Sequence, residues 1–293
     1  MGKRIEPTMT SGGLLKLYQT LWAPYYDAVM RTLGAAGVIL PIGDPHHGQP
    51  GATTFSTKGG EQVTFTWSEA PRAFDTVLDL TDPVSFQGIM PLVTFNGTDE
   101  EADTPDAAFW TRGDGANDSA MSLGAWVNVT GGHASIILAR FDNTLAAEVR
   151  EWRFLIDGND NLEFQTFDES ANVGAQRISD AAVPTGVWIL VVATYDGTGG
   201  ADAMGTSGSV ADNGTLYVDG EIIASTANDS GAYVAMEDLS APTTFAHRLL
   251  GGVTQLFGGS MIGGPLGPFF TPKELSSGEV RGLYDLGRAA LGL

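Results

Sequence analysis

The spacing of hydrophobic residues divides the chain into a helical start and a long β-rich remainder. In residues 1–34 the apolar side chains recur every three or four positions, as on one face of a helix. They are Leu14, Leu17, Tyr18, Leu21, Trp22, Tyr25, Tyr26, Val29, Met30 and Leu33. Pro24 fits the first turn of a helix better than its interior. We therefore predict a helix near residues 12–22, a break, and a second helix from Pro24 to Leu33 that stops at Gly34.

After this segment, apolar positions alternate with polar ones, which is typical of half-buried strands. The clearest strand-like runs are 63–67, 123–129, 152–156, 162–164 and 187–195. Asp157-Gly158 and Asp219-Gly220 separate such runs and predict hairpin turns in which glycine takes a positive φ. The glycine-rich stretch from Thr198 to Asn213 predicts a long surface loop. Many short strands divided by Gly, Asn and Asp turns predict an all-β sandwich.

One more helix is predicted near the end of the sequence. Ser276 and Glu279 have the spacing of a capping box, in which each side chain bonds the backbone of the other residue. Leu283, Tyr284 and Leu286 would then face inward. The predicted organisation is a helical arm over residues 1–34, followed by one β domain over residues 35–293.

The charge of the chain limits the kinds of partner that it can bind. The formal net charge is -20, and only 17% of the residues are charged. An acidic surface disfavours nucleic acid, which needs a basic face, and also anionic membranes. The sequence contains no cysteine, which excludes disulfides and thiolate metal sites. The arm is net basic, so it differs chemically from the acidic body.

Five motifs occur in an order that resembles the laminin G-like jelly-roll branch of the concanavalin A-like lectin/glucanase superfamily. The resemblance covers roughly residues 35–290. They are Phe95-Asn96-Gly97-Thr98-Asp99-Glu100, Leu123-Gly124-Ala125-Trp126-Val127, Gly186-Val187-Trp188 with Ala193-Thr194-Tyr195-Asp196-Gly197, Leu216-Tyr217-Val218-Asp219-Gly220, and Leu275-Ser276 with Glu279-Val280 and Leu283-Tyr284. The resemblance implies a concanavalin A-like, laminin G-like jelly-roll sandwich, with the helical arm before it and a short helix after it.

The superfamily includes glucanases, whose catalytic strand reads E-x-D-x-x-E and places acids on one strand face. The nearest match is Glu101-Ala102-Asp103-Thr104-Pro105-Asp106, which ends in Asp and carries a proline. Proline interrupts a central strand, so we predict an acidic loop here and no catalytic residues.

A calcium ion is the only cofactor for which the sequence leaves room. The family usually has an Asp-Glu pair before its closing helix, which often supports a structural calcium ion, and Leu266-Gly267 stand at those places here. Calcium held by the acids from Asp99 to Asp103 stays open as an alternative, since carboxylate oxygens are the ligands that this ion prefers. No other cofactor is predicted.

Two classes of function follow. The resemblance extends to jelly rolls of phage particles, and no apolar leader follows Met1. We therefore expect a non-enzymatic virion structural protein, made in the host cytoplasm, that decorates a capsid or joins a tail. The alternative is a lectin-like module for a cell-surface glycan, and a glycoside hydrolase ranks third. For a glycan, Trp110 would stack on a sugar ring while Asp103 and Asp106 bind its hydroxyls.

The arm supplies the candidate docking residues. An amphipathic helix this apolar must bury its stripe, either on the sandwich itself or on a neighbouring subunit or a capsid or tail protein. A homo-oligomer is also expected. The candidate docking residues are Leu14, Tyr18, Leu21, Trp22, Tyr25, Tyr26 and Val29.

Overall fold

The structure is a computed structural model that describes residues 11–42, 54–69, 73–75, 92–143, 148–206, 212–250 and 253–293. Within these ranges it leaves the side chains of residues 11–21, 68–69, 73–75, 92, 249–250 and 253–254 undescribed. The described strands form two antiparallel sheets, and the second of them also contains one parallel pairing, between Leu249 and Asp142. The predicted all-β sandwich is confirmed.

Sheet 1 has the strand order β15-β14-β13-β8-β20-β6-β5, and β1, β3 and β21 are attached beside β8. Its strands are β1 (Val38–Ile39), β3 (Lys58–Gly59), β5 (Ala73–Asp75), β6 (Leu92–Asn96), β8 (Met121–Val129), β13 (Ile189–Tyr195), β14 (Gly214–Val218), β15 (Glu221–Ile222), β20 (Gly258–Ile262) and β21 (Phe269–Thr271). The strand β20 comes late in the chain but lies between β6 and β8.

Sheet 2 has the order β16-β12-β11-β10-β9-β17-β7-β4-β2, and the β18–β19 hairpin joins it at β9. Its strands are β2 (Thr54–Ser56), β4 (Thr64–Glu69), β7 (Glu101–Thr104), β9 (Ser135–Asp142), β10 (Val149–Ile156), β11 (Leu162–Asp168), β12 (Val173–Ser179), β16 (Ser225–Asp229), β17 (Thr243–Phe245), β18 (His247–Leu250) and β19 (Val253–Leu256). Each of the five strand-like runs predicted from the sequence overlaps a strand.

The inner faces of the two sheets meet in one aromatic core. Trp110 lies at its centre and is fully buried, in the loop between β7 and β8. Its ring centroid is 6.0 Å from that of Phe65 in sheet 2 and 5.0 Å from that of Phe270 in sheet 1. Trp152 Nε1 donates to the carbonyl oxygen of Trp110 at 3.0 Å. The loop is therefore anchored on both sheets.

A second hydrophobic layer covers part of the outer face of sheet 1. It is formed by the helices α1 (Ser11–Leu33) and α2 (Ser277–Leu291) and a 3₁₀ turn (Gly264–Leu266). These elements bury the outward side chains of sheet 1, namely Trp126, Leu190, Val192, Tyr217 and Ile262. The closest approach is at Gly287 of α2, where an added Cβ would lie 2.4 Å from Trp126 Nε1.

The helix α1 corrects one prediction and confirms another. It runs unbroken through Pro24, although proline lacks the N–H that a helix interior uses. The buried side chains of Trp22 and Tyr26 flank Pro24 and pack in the same layer, while Pro24 itself is exposed, so packing on both sides outweighs the lost hydrogen bond. The helix stops as predicted at Gly34, whose φ is +83°.

Ser276 caps α2 as the sequence predicted. Its side chain accepts a hydrogen bond from the Glu279 amide, and the Glu279 side chain accepts one from the Ser276 amide. Leu283 faces inward and is buried, whereas Tyr284 and Leu286 are partly buried. None of the described helices has both the length and the hydropathy needed to cross a bilayer.

The two predicted Asp-Gly turns have different outcomes. Asp219 and Gly220 both have positive φ, +52° and +79°, so this turn is confirmed. In the other turn the positive φ of +65° belongs to Asp160 rather than to Gly158. The Asp157 carboxylate accepts the amides of Asn159 and Asn161, which lengthens the turn and moves its left-handed position.

The predicted surface loop from Thr198 to Asn213 is partly wrong, because Ala203 and Met204 are fully buried. Arg177 Nη1 donates to the carbonyl oxygen of Met204 at 2.9 Å, and Asp229 Oδ2 accepts the backbone amide of Met204 at 3.1 Å. Polar side chains of sheet 2 thus satisfy the backbone of this buried segment, which glycine content alone does not reveal.

Candidate functional site

The outer face of sheet 1 has a covered part and an open part. The helical layer ends at Trp126 in β8 and Ile262 in β20. Asn128 in β8 and Ser260 in β20 each lie two positions beyond these residues on the same face, and they are opposite each other in the sheet. Both are only partly buried. From these residues outward, polar side chains replace apolar ones.

The open part begins with a row of three polar side chains across three strands. Thr94 of β6 is opposite Ser260 of β20, and their hydroxyl oxygens are 2.9 Å apart. Asn128 of β8 completes the row. No hydrogen bond joins the Asn128 amide group to another side chain or backbone group of the described residues, and Asn128 lines the open part of the face.

A second row runs parallel to the first and contains Asn96, Gly258 and Thr130. Gly258 is opposite Asn96 and accepts the Thr130 amide at 3.3 Å. The His133 ring lies directly over Gly258, since an added Cβ would sit 1.7 Å from His133 Nε2. The missing side chain of Gly258 therefore makes the space that the imidazole occupies.

Asn96 is held in place by the turn that follows it. Its Oδ1 accepts the amides of Thr98 and Asp99 at 2.7 and 3.2 Å, and its Nδ2 donates to Asp99 Oδ1 at 2.7 Å. The amide group of Asn96 is thus oriented before any ligand arrives. A fixed side chain loses less conformational entropy on binding.

These two rows form the floor of a cleft of about 450 Å³. Ligand pockets generally have volumes of about 300–1,000 Å³. The cleft is lined by Thr94, Phe95, Asn96, Gly97, Asn128, Thr130, His133, Gly258, Gly259 and Ser260. Hydroxyls, amides and an imidazole supply both donors and acceptors, which is the chemistry that hydroxyl-rich ligands require.

The predicted sugar contact at Trp110 is wrong. The side chain is fully buried between the two sheets, far inside the aromatic core. A ring with no exposed surface cannot stack on a sugar. The tryptophan fills the sandwich, as large aromatic side chains in β sandwiches commonly do.

Asp103 and Asp106, the other predicted sugar contacts, do not meet at one site. Residues 101–104 form the central strand β7 rather than the predicted acidic loop, because the strand ends just before Pro105. Asp103 and Glu101 face outward, whereas Ala102 and Thr104 are buried. Asp106 lies beyond the strand and pairs with the buried Arg140 at 2.5 Å. Glu101 and Asp103 therefore share the outward face of β7, whereas Asp106 is held beyond the strand by Arg140.

The acids between Asp99 and Asp103 show no arrangement for calcium. In the described part of the chain, no group of three or more His, Asp or Glu side chains is placed to hold a metal ion. Asp99 bonds Asn96, and Glu101 lies 3.1 Å from His247 Nδ1. Burial raises the pKa of Asp103, which weakens it further as a carboxylate ligand.

The candidate docking residues of α1 divide into two groups. Trp22, Tyr26 and Val29 are buried in the layer on sheet 1, and Tyr25 packs partly against it. These residues therefore bind the sandwich itself, which was one of the two predicted partners. The side chains of Leu14, Tyr18 and Leu21 lie outside the described residues.

Two buried carboxylates lie away from the cleft and bond polar groups of the core. Asp118 accepts the hydroxyls of Tyr195 and Tyr233 at 2.6 and 2.8 Å, and burial raises its pKa. Glu151 pairs with Arg140 at 2.6 Å, and both side chains are fully buried. Burial raises the pKa of Glu151 to about 8, despite the nearby guanidinium.

No residue of the cleft was predicted as a site residue from the sequence. Its residues occupy the polar positions of predicted strands, such as Asn128 between Val127 and Val129. One signal was present: paired glycines inside a strand, here Gly258 and Gly259, mark a place where another group approaches the backbone closely. Nothing in the pattern showed which outward polar positions the helices leave open.

Several solved structures are similar to this chain. The binding domain of botulinum neurotoxin serotype G has a TM-score of 0.51 and 12% identity, covering 87% of this chain and 52% of that one. The serotype D ligand binding domain, solved with N-acetylneuraminic acid, has a TM-score of 0.51 and 12% identity, and the match covers 89% of this chain and 52% of that one. A Trypanosoma rangeli sialidase has a TM-score of 0.49 and 12% identity, and the match covers 92% of this chain and 39% of that one. This chain thus spans about half the length of the toxin domains, and such low identity shows the fold alone.

The sequence itself matches one family. No curated protein matches the chain. A laminin G family model, described as the concanavalin A-like lectin/glucanases superfamily, matches residues 96–247. This match covers just over half of the chain and includes β7 to β17, the centre of both sheets. The chain belongs to the concanavalin A-like lectin/glucanases superfamily.

Proposed function

We propose that this protein is a non-catalytic, lectin-like module that binds a glycan in the cleft on sheet 1. The observation that carries the proposal is the change along one sheet face, from an apolar part under helices to an open polar part. Thr94, Ser260 and Asn128 form a continuous row there, and nearly every group is an uncharged donor or acceptor. The fold neighbours add support at the level of the fold, since one is a ligand binding domain solved with a sugar.

A glycan array tests this function with matched variants. We expect Asn128→Ala to weaken binding about fivefold, the effect of losing one hydrogen bond of about 1 kcal/mol. Asn228→Ala is the control, because Asn228 is also an exposed strand asparagine but lies on the edge strand β16 of sheet 2. The proposal would be refuted if the unaltered protein bound no glycan, or if the two variants lost the same amount of binding.

The non-catalytic part of the proposal rests on the dispersed carboxylates. A glycosidase needs two carboxyl groups on either side of one bond. Here Asp106 is held by Arg140, and Glu101 lies beside His247. The measurement is the release of reducing ends from any glycan that the array identifies. Release by the unaltered protein that Glu101→Gln abolishes would overturn the non-catalytic part and leave the proposed binding site intact.

We propose, as a second function, that the first half of α1 attaches the domain to a virion, as a capsid decoration or tail-associated protein. The helix begins at Ser11, eleven residues before the first side chain known to pack on sheet 1. In the sequence, Leu14, Tyr18 and Leu21 continue the stripe of Trp22. Such a stripe needs a partner, which would be a capsid or tail protein or a second copy of this chain.

Deletion of residues 1–21 tests the attachment role while sparing the packed part of α1. We expect the thermal unfolding midpoint to change little, because Trp22, Tyr26 and Val29 remain in place. Incorporation into particles, followed by mass spectrometry of purified virions, should fall to background. Normal incorporation of the shortened protein would rule the role out.

A further inference from the structure

Two surface carboxylates flank the cleft, one at each end of its second row, and the buried Glu100 lies beneath one end, where its Oε2 accepts the Asn96 amide at 2.6 Å. Asp99 Oδ1 accepts the Nδ2 donor of Asn96 at 2.7 Å. On the far side, Asp160 Oδ1 accepts the amide of Gly132 at 2.8 Å, next to His133. Each carboxylate is thus one hydrogen bond away from a residue that lines the cleft or adjoins it. A ligand in the cleft lies between two negative charges.

The floor itself offers uncharged groups. The side chains that point into it from the three strands and the following turn are Thr94, Asn96, Asn128, Thr130 and Ser260. Amides and hydroxyls bind sugar hydroxyls well, but they do not neutralise a carboxylate or a sulfate. The uncharged binding groups and the flanking negative charges therefore both favour a ligand without negative charge.

The dimensions of the floor limit the size of that ligand. Neighbouring strands are about 4.8 Å apart and alternate residues along a strand about 6.7 Å apart, so three strands and two rows cover about 10 by 7 Å. This area accommodates two pyranose rings. The 2.9 Å between the Thr94 and Ser260 hydroxyls matches the separation of adjacent hydroxyls on one ring.

On the basis of the proposed glycan function, we infer that the cleft is selective for neutral sugars of about two rings and rejects sialylated, sulfated and uronic acid-containing glycans. The row Thr94–Ser260–Asn128 binds adjacent ring hydroxyls. Asp99 and Asp160 repel an anionic substituent. At about 7 Å in water each carboxylate weakens the binding of one negative charge about threefold, so the pair gives about tenfold selectivity.

The test compares neutral and acidic versions of the same core on one array. Lactose and 3′-sialyllactose form one pair, and each neutral disaccharide on the array is matched with its sulfated or uronate form. Only signals that Asn128→Ala reduces are scored, so that binding elsewhere on the protein is excluded. We expect neutral members of the pairs to bind about tenfold more tightly at low salt, and the difference to shrink at high salt.

The double variant Asp99→Asn, Asp160→Asn provides the matched control. Asparagine keeps the side-chain oxygen that accepts from Asn96 Nδ2 or the Gly132 amide, so the loops keep their hydrogen bonds. The ratio of neutral to acidic affinity is the quantity compared, and it should fall about tenfold.

The outcomes separate this inference from the proposed function. If acidic glycans bind as well as their neutral partners, and Asn128→Ala weakens that binding, the selectivity is overturned and the lectin function is kept. Unchanged discrimination in the double variant would show that Asp99 and Asp160 are not its cause. An array without any binder dependent on Asn128 would overturn the lectin function itself.

Discussion

Replacing Trp110 with alanine is expected to lower the free energy of unfolding by about 3–5 kcal/mol, the cost of removing a large buried aromatic side chain. The ring is fully buried and touches the rings of Phe65, Phe109 and Phe270, which belong to both sheets and the connecting loop. Alanine would leave a cavity where the two sheets meet. Urea unfolding followed by circular dichroism measures the loss.

Trp110→Phe is the matched control for this prediction. The Trp110 Nε1 atom is buried and has no hydrogen-bond partner among the residues that the structure describes, so phenylalanine removes an unsatisfied donor there and keeps most of the ring contacts. We expect a loss below about 1.5 kcal/mol and unchanged glycan binding. Equal losses in the two variants would show that the indole, rather than the packed volume, is required.

Lowering the pH from about 9 to about 6.5 is expected to stabilise the protein by about 2 kcal/mol through Glu151 alone. Burial raises the pKa of Glu151 from 4.5 to about 8, so the folded chain binds a proton that the unfolded chain lacks in this range. Stability from this group is complete at low pH and is lost as the pH rises through 8. Thermal unfolding at a series of pH values measures it.

Two variants define the source of the pH effect. Glu151→Gln cannot titrate, and it should remove most of the slope between pH 6.5 and 9. The fully buried His247 has a pKa lowered to about 4 by burial, so it destabilises the fold only below its ordinary value of 6.5. His247→Gln should therefore keep the slope above pH 6.5. An undiminished slope in Glu151→Gln would mean that repulsion within the -20 net charge causes it.

Local patterns predicted the fold well because they depend on nearest neighbours. The alternation around Trp126, the capping box of Ser276 and the Asp219-Gly220 turn each need only a few residues, and all three are confirmed. The unbroken helix at Pro24 depends on a distant sheet, so local rules failed there.

The site was harder to predict than the fold. Trp110 stands among acids in the sequence, as in a sugar site, but its burial depends on Phe65 and Phe270, which are 45 and 160 positions away. The cleft unites β6, β8 and β20, and Asn96 and Gly258 become neighbours only through strand pairing. No spacing within a short window contains that information.

The late position of β20 also determines when the cleft can exist during protein synthesis. Sheet 1 has a gap between β6 and β8 until Gly258 to Ile262 emerge, although β6 is complete at Asn96. At about 5–20 residues per second, roughly ten to thirty seconds separate these events. During that time the backbone N–H and C=O groups of β6 and β8 that β20 will pair have no strand partner, and pairing with another chain becomes a hazard. We therefore expect nascent chains that end before Gly258 to require a chaperone, and slow translation over this interval to increase aggregation.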